Sequence, residues 1–242
     1  MPRALAIETS SRIGSIATVL DGQVLAEEAF PHGLQHAKEI LSIIDRLTRA
    51  QNWTPRDIDE LYISIGPGSF TGIRIAVTLA KTLAFATGAK IVAVPTVQVL
   101  AQNSPPDANH VLIVLDAKRE HIYTALFDRS PVGWALPTNS SSKTAAHIDT
   151  LANALARAPR PIHLLGEGIP FHRQFIPDDP AIIITPEEFW RPRAGAVAQL
   201  GHDMARRAEF TAPEKLIPLY IRPPEAEEKW EQHHSPTPKA QG

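Results

Sequence analysis

The sequence contains no cysteine, so it holds no disulfide framework, no thiol nucleophile and no zinc site built on cysteine. It also lacks any run of about 18 apolar residues, the length that a membrane-spanning helix needs. Its first residues, MPRALAIETSS, are too short and too polar for the apolar core of a signal peptide. These absences predict a cytoplasmic protein with no membrane contact.

Neither sign of charge predominates in the sequence. The 24 Lys and Arg residues and the 26 Asp and Glu residues leave a net charge of −2, and no run of like charges forms a basic arm. Such a balance gives no global attraction to nucleic acid, although it leaves room for a local basic patch. The charge therefore argues against an autonomous RNA-binding protein.

Proline is scarce in the first part of the chain, since only five of the 22 prolines precede residue 100. Proline fixes φ and removes a donor, so regular structure can be continuous there while loops interrupt the rest. The stretch QNSPPDAN, residues 102–109, is a candidate linker. We predict an N-terminal lobe over residues 1–104, a C-terminal lobe over 105–221, and a charged, disordered tail over 222–242.

The first lobe has a clear order of elements. The strands ALAIE, SIATVL and VLAEEAF come first, the last two joined by a tight turn at Asp21 and Gly22. A helix over residues 34–50, the strand LYISIG, a helix over 71–87 and the strand KIVAV follow. Three antiparallel strands followed by alternating helices and strands predict a mixed sheet with helices on its faces.

The second half repeats this order. The run VLIVLD ends at Asp116 as ALAIE ends at Glu8, and each acid is followed by a polar turn and an alternating strand. A further strand, IHLLGEG, comes later in the chain. The order of elements therefore predicts an α/β fold made of two duplicated lobes.

The glycine-rich stretch GPGSFTGIR, residues 66–74, fails both phosphate-binding templates. No Lys-Ser or Lys-Thr follows its last glycine, and its glycines are one residue too far apart for a dinucleotide fingerprint. Ser69 or Thr71 can still cap the next helix and leave amide donors at its positive end. Ser69 and Thr71 are therefore a candidate anion site, and a structural turn with a cap is the alternative.

Two helices of the first lobe carry more apolar surface than a single core needs. The helix over 71–87 has small residues at every fourth position, a ridge along which another helix can approach closely. The apolar stripe of the helix over 34–50 spans roughly 160° rather than the usual ~100°. Burial within the chain's own lobes is the alternative. We predict a partner interface formed by His36, Ile40, Ile43, Leu47, Gly72, Ala76 and Ala80.

Catalytic signals are weak. Glu8 and Asp116 end the first strand of each lobe, where carboxylates can hold Mg²⁺ or orient a nucleophile, but no well-formed phosphate loop accompanies them. His32 and His36 are four residues apart without the glutamate or third ligand that a zinc site needs. No G-x-S-x-G motif occurs. The residues predict no catalytic site, no metal and no cofactor in this chain.

Four stretches, LAIETSS, GPGSFTGIRI, DAKREHIY and PLYIRPP, resemble the TsaB (YeaZ) family over residues 4–224. The resemblance implies duplicated lobes of the actin-like, sugar-kinase and Hsp70 (ASKHA) type. It implies a non-catalytic, activating subunit that pairs with a TsaD-like metallo-ATPase in bacterial tRNA threonylcarbamoyladenosine (t6A) formation, joined by a TsaE-like ATPase. A homodimer in isolation, and RNA contact only through the complex, are further implications.

The resemblance also accounts for the missing chemistry. In TsaD a histidine pair binds metal where this chain has Thr96 and Leu100, so the resemblance implies that the metal and nucleotide chemistry has been lost. At His36 the family has HSE where this chain has HAK, a departure at Ala37 and Lys38. A glycoprotease-type (M22-like) peptidase and a small-molecule kinase of the same fold are the alternatives.

Overall fold

The structure is a computed structural model, and it describes residues 1–31, 36–130, 133–135 and 146–222. Apart from Arg222, the predicted disordered tail lies outside the described residues, and so does His32. Regular structure alternates between strands and helices along the described chain.

The first sheet has five strands, β1 Arg3–Glu8, β2 Ile13–Leu20, β3 Gln23–Pro31, β4 Glu60–Ser64 and β5 Lys90–Val94. Their order across the sheet is β3-β2-β1-β4-β5. Strands β1, β2 and β3 form an antiparallel meander, and the predicted tight turn between the last two is confirmed by positive φ at Asp21 (50°) and Gly22 (81°). Strand β4 pairs parallel with β1, and β5 pairs parallel with β4. The helices between and after them are α1 His36–Ala50, α2 Phe70–Thr87 and α3 Thr96–Ala101.

The second sheet repeats this arrangement. Its strands are β6 His110–Asp116, β7 Ile122–Ser130, β8 Gly133–Ala135, β9 His147–Asp149, β10 Ile162–Leu165 and β11 Ile182–Ile184. Strand β6 is antiparallel to β7 and parallel to β10, which is parallel to β11, as β1 relates to β2, β4 and β5. The predicted duplication is therefore confirmed, and the fold is an α/β fold built on two sheets of matching strand order. The helices of this part are α4 Leu151–Arg157, α5 Ile169–His172 and α6 Ala194–Arg206.

The two faces of the first sheet bury different side chains because successive residues of a strand point to opposite sides. Leu5 and Ile7 of β1 belong to a core that includes the buried sides of α1 and α2. Ala4 and Ala6 of the same strand belong to a second core with Val197 of α6. Helix α6, which the sequence analysis did not single out, thus covers the face opposite α1 and α2.

Helix α2 begins and ends on clear local signals. Ser69 caps its first turn by accepting a hydrogen bond from the amide of Gly72, and Gly88 ends it in the left-handed conformation (φ 82°). Among the described helices, α2 is long and apolar enough to cross a membrane by length and composition alone, and a third of it is buried in the chain. Its buried residues lie in the core of the first sheet.

The last described segment, residues 211–222, which we call the C-terminal strap, links both sheets. The amide of Thr211 donates to the carbonyl of Ile91 in β5, and Leu216 is buried in the core beneath α1 and α2. At its end, Nη1 of Arg222 donates to the carbonyl of Ala117, just after β6 (2.6 Å). Helix α6 and this strap pack on the first sheet although they follow residue 104, and the predicted lobe boundaries stay predictions.

Candidate functional site

The structure places six of the seven residues predicted for a partner interface inside the chain's own core. Six of the seven have described surroundings, and all six are buried, with exposed fractions of 0% at Ala76 and Ala80. The ridge of small residues allows α2 to lie close against its own sheet. His36 begins α1, but its side chain lies outside the described residues. A partner that docks on these helices must therefore contact their other face, and that interface stays a prediction. The six buried positions are Ile40, Ile43, Leu47, Gly72, Ala76 and Ala80.

The other face of α2 is exposed and almost uncharged. Seven positions are exposed along its 18 residues, and Arg74 is the one charged residue among them. Phe85 is 72% exposed near the helix end, and Leu41 on α1 is 55% exposed. We call these seven positions the α2 outer face; they are Phe70, Thr71, Arg74, Thr78, Thr82, Phe85 and Ala86.

The C-terminal strap extends this surface at the start of α2. The ring of Tyr220 stacks on the ring of Phe70 with centroids 5.2 Å apart, and both side chains are 40% exposed. The guanidinium of Arg74 lies over the same Phe70 ring at 5.1 Å. The α2 outer face thus continues from Phe70 onto Tyr220 of the C-terminal strap.

The glycine-rich loop turns a corner against the end of β1. A Cβ on Gly68 would lie 2.3 Å from the carbonyl oxygen of Ser10, so this position requires glycine. The amide of Ser69 donates to that same oxygen (2.7 Å), and the hydroxyl of Ser69 accepts from Gly72. Two amides at this helix start are therefore bonded to the chain's own oxygens. The anion site at Ser69 and Thr71 stays a prediction.

Glu8, the acid that ends β1, is fully buried. Its Oε1 accepts hydrogen bonds from the amide and the hydroxyl of Ser10 (both 2.5 Å), while its Oε2 has no hydrogen-bond partner within the described chain. Burial raises the pKa of Glu8, against the opposing effect of the two Ser10 bonds. The Glu8 carboxyl therefore holds the turn after β1 through its two bonds to Ser10.

Asp116, the matching acid of the second sheet, is occupied by ion pairs. Its Oδ2 contacts Nζ of Lys118 (2.6 Å), and its Oδ1 accepts from the amide of Lys118 (3.0 Å) and lies 3.3 Å from Nε2 of the buried His172. Burial alone would raise the pKa of Asp116, but the bonds from Lys118 prevail and lower it.

The turn that follows Asp116 has an unusual backbone. Lys118, Arg119 and Glu120 all have positive φ (64°, 53° and 60°), although none is glycine. Each such residue costs on the order of 1–2 kcal/mol. The Asp116 bonds to Lys118 offset this cost, as does the hydrogen bond from the amide of His121 to the carbonyl of Lys118. The turn therefore presents two exposed basic side chains, Lys118 and Arg119, in a defined position.

The turns after β1 and after β10 meet between the two sheets. The amide of Arg12 faces Oε2 of Glu167 at 3.4 Å, and Nε of Arg191 lies 3.8 Å from Oε1 of the same carboxyl. Burial raises the pKa of Glu167, and these neighbouring positive groups oppose that effect. The guanidinium of Arg12 lies 5.6 Å from the ring centroid of Phe171, a cation–π contact. None of Glu167, Phe171 and Arg191 was predicted from the sequence.

Thr96 and Leu100, which replace the TsaD histidines in the family resemblance, have packing roles. The hydroxyl of Thr96 lies 2.6 Å from that of Ser64 and accepts from the amide of Gly66 (3.1 Å). Leu100 is fully buried in the core of the second sheet. Within the described ranges, no group of three or more His, Cys, Asp or Glu side chains is placed to hold a metal ion.

Comparison with known proteins gives matches across most of the chain. A family model described as TsaD, tRNA N6-adenosine threonylcarbamoyltransferase, matches residues 31–230. The tRNA threonylcarbamoyladenosine biosynthesis protein TsaB of Bacillus subtilis is 31% identical over 229 residues, which cover 93% of this chain and 96% of that protein. The protein of the same name from Escherichia coli is 33% identical over 134 residues, 54% of this chain and 57% of its own length.

Solved structures give the same fold. The structure called YeaZ from Pseudomonas aeruginosa superposes with a TM-score of 0.76 at 23% identity and covers 91% of this chain and 100% of its own. At this identity the likeness is one of fold.

Proposed function

This chain belongs to the TsaB (YeaZ) family, within the wider family that the TsaD model describes, and we propose that it is the structural subunit of a t6A-forming complex. Its role lies in tRNA threonylcarbamoyladenosine biosynthesis. In the proposed complex it docks on a TsaD-like metallo-ATPase, which carries out the transfer, and a TsaE-like ATPase joins them in the cytoplasm.

The observation that carries the proposal is the α2 outer face. An exposed helix face of a monomeric protein is normally polar and charged, whereas one charge in seven exposed positions is typical of a covered surface. Beside these positions the partly exposed Leu79 adds apolar area, and the partly exposed Lys81 adds a second charge. We infer that the catalytic subunit covers this face.

The same face would serve a homodimer when the catalytic subunit is absent. A twofold pair buries the same patch on both copies, so a single surface cannot hold the homodimer and the heterodimer at once. The homodimer should therefore dissociate as the catalytic subunit is added, which a light-scattering titration can follow.

The proposal is tested by placing an arginine on the α2 outer face. Thr78 is exposed, so Thr78→Arg should leave the monomer folded, but its charge would be buried without a partner in the complex. We expect affinity for the TsaD-like subunit, measured by calorimetry, to fall at least about tenfold, as a buried unpaired charge costs several kcal/mol.

Gln199→Arg is the matched control, because Gln199 is exposed on α6, at the opposite face of the same sheet. It should bind like the wild type. A folded Thr78→Arg variant that keeps wild-type affinity would remove the α2 outer face from the interface. Threonylcarbamoyl transfer by this chain alone would overturn its proposed non-catalytic role.

A further inference from the structure

A second surface lies between the two sheets, at Phe171 of α5. The Phe171 side chain is 49% exposed, although phenylalanine is among the residue types most often buried. Two cations flank its ring at the same distance, since the guanidinium carbon of Arg12 and Nζ of Lys118 each lie 5.6 Å from the centroid. Arg119 is exposed beside Lys118. We call Arg12, Lys118, Arg119 and Phe171 the cleft-mouth surface.

One cation of this surface, Lys118, is held in place before any ligand arrives. Lys118 is fixed through both its amide and its ammonium group by Asp116, on a backbone turn that only a specific set of bonds maintains. Arg12 lies in the turn after β1, and its backbone amide faces Oε2 of Glu167. Such pre-organisation lowers the entropy that binding must overcome.

The chemistry of the surface indicates its ligand. An exposed aromatic ring flanked by cations is the arrangement with which proteins hold single-stranded nucleic acid, because a base stacks on the ring while the cations neutralise phosphates. Three acids are also near, Asp116, Glu120 and Glu167, but Lys118 pairs with the first and Arg191 lies beside the third.

We propose that the cleft-mouth surface contacts a single-stranded loop of the tRNA substrate directly, with one base stacked on Phe171 and phosphates held by Arg12, Lys118 and Arg119. This inference rests on the proposed function, since the assembled complex brings the tRNA to this chain. With an overall charge of −2 the chain alone has little attraction for RNA, so the contact adds to binding by the complex rather than replacing it.

The test uses the complex assembled with the TsaD-like subunit and an unmodified tRNA transcript. Phe171→Ala should raise the KM for tRNA about five- to tenfold, the lower range for loss of one stacked base, and leave kcat and the KM for ATP unchanged. Phe171→Tyr, which keeps the ring, should restore the KM.

Arg119→Ala should flatten the dependence of log KM on log salt by about 0.7, the value for one phosphate contact on a single strand.

Lys90→Ala is the matched control, because Lys90 forms a similar cation–π contact with Phe210 at 4.9 Å on another part of the chain. It should leave all constants unchanged. An unchanged KM for tRNA in Phe171→Ala would overturn the inference. A rise in the KM for ATP instead would assign the surface to free nucleotide, and weaker binding of the TsaD-like subunit would assign it to protein contact; either result also overturns it.

The outcomes separate this inference from the function on which it rests. If the wild-type subunits form no complex or transfer no threonylcarbamoyl group, the proposed function fails. If the wild-type complex is active and Phe171→Ala has a normal KM for tRNA, the inference alone fails.

Discussion

The carboxyl group of Glu8 and the backbone of Gly68 meet the same residue, Ser10, from two directions. Ser10 donates to Glu8 through its amide and hydroxyl, and its carbonyl oxygen leaves no room for a side chain at position 68. The glycine-rich loop thus serves close packing against the turn after β1. Glu8, which was considered for a catalytic role because it ends β1, is part of the same packed turn.

Protonation of Glu8 should make stability depend on pH. The pKa of the folded carboxyl is raised above its ordinary value of 4.5, so above that pH the unfolded chain releases a proton that the folded chain retains. The stability contributed by Glu8 is therefore fully present below about pH 4.5 and is lost as the pH rises through the folded pKa.

Glu8→Gln removes this titration and keeps an oxygen that can accept from Ser10. The difference in Tm between Glu8→Gln and the wild type should therefore become more positive from pH 4 to pH 8, measured by differential scanning calorimetry. Glu188→Gln, at an exposed position, is the control. Parallel curves for Glu8→Gln and the wild type would show that burial of Glu8 has no such effect.

At the scale of an element, the two faces of helix α2 have different roles. Gly72, Ala76, Ala80 and Ala84 are buried against the sheet, while three threonines and Phe85 are exposed on the outer face. A close approach needs small side chains on the inner face, whereas a docking surface needs few charges on the outer face. A single helix with both properties is apolar nearly all round, which explains why sequence periodicity alone gave no unique orientation.

Adding volume to the two faces should therefore have unequal effects. Ala80→Leu places extra carbons where Ala80 is fully buried and should lower the free energy of unfolding by about 1–3 kcal/mol. Ala86→Leu, on the α2 outer face, should change it by less than about 0.5 kcal/mol. Urea denaturation checks both. Equal losses in the two variants would contradict the observed orientation of α2.

At the scale of the whole molecule, the C-terminal strap connects the sheets. The amide of Leu219 donates to the carbonyl of Ile65 (2.8 Å), Leu216 fills the first core, and Ile221 packs against the second. Phe70 of α2 stacks on Tyr220 of the strap, so a partner on the α2 outer face would also contact the element that spans both sheets.

Loss of the buried Leu216 side chain should release the strap and destabilise the chain. Leu216 is 1% exposed and the adjacent Ile217 is 69% exposed. Leu216→Ala should lower the free energy of unfolding by about 2–5 kcal/mol, as a buried leucine leaves a cavity. Proteolysis within residues 212–222 should also become faster. Ile217→Ala is the control and should change neither; a matching loss there would contradict the burial of the strap through Leu216.

Much of the fold was legible because its signals are local. The strand-turn-strand run through Asp21 and Gly22, the cap at Ser69 and the end of α2 at Gly88 depend on neighbours in sequence, and the structure confirms each of them. The duplication was legible from the order of elements after Glu8 and Asp116. The family resemblance was carried by four contiguous stretches, and the TsaB relative that is 31% identical over 93% of this chain confirms the family.

Only the tertiary structure decided which surface each residue faces. Ala76 and Ala80 could pack on a partner or on the chain's own sheet, because both arrangements give the same apolar periodicity. In the structure both residues pack in the core of the first sheet. Arg12, Lys118 and Phe171 are far apart in sequence and become neighbours only when the turns of the two halves meet. Sequence determined the elements through local bonds, while long-range packing determined the faces and the site between them.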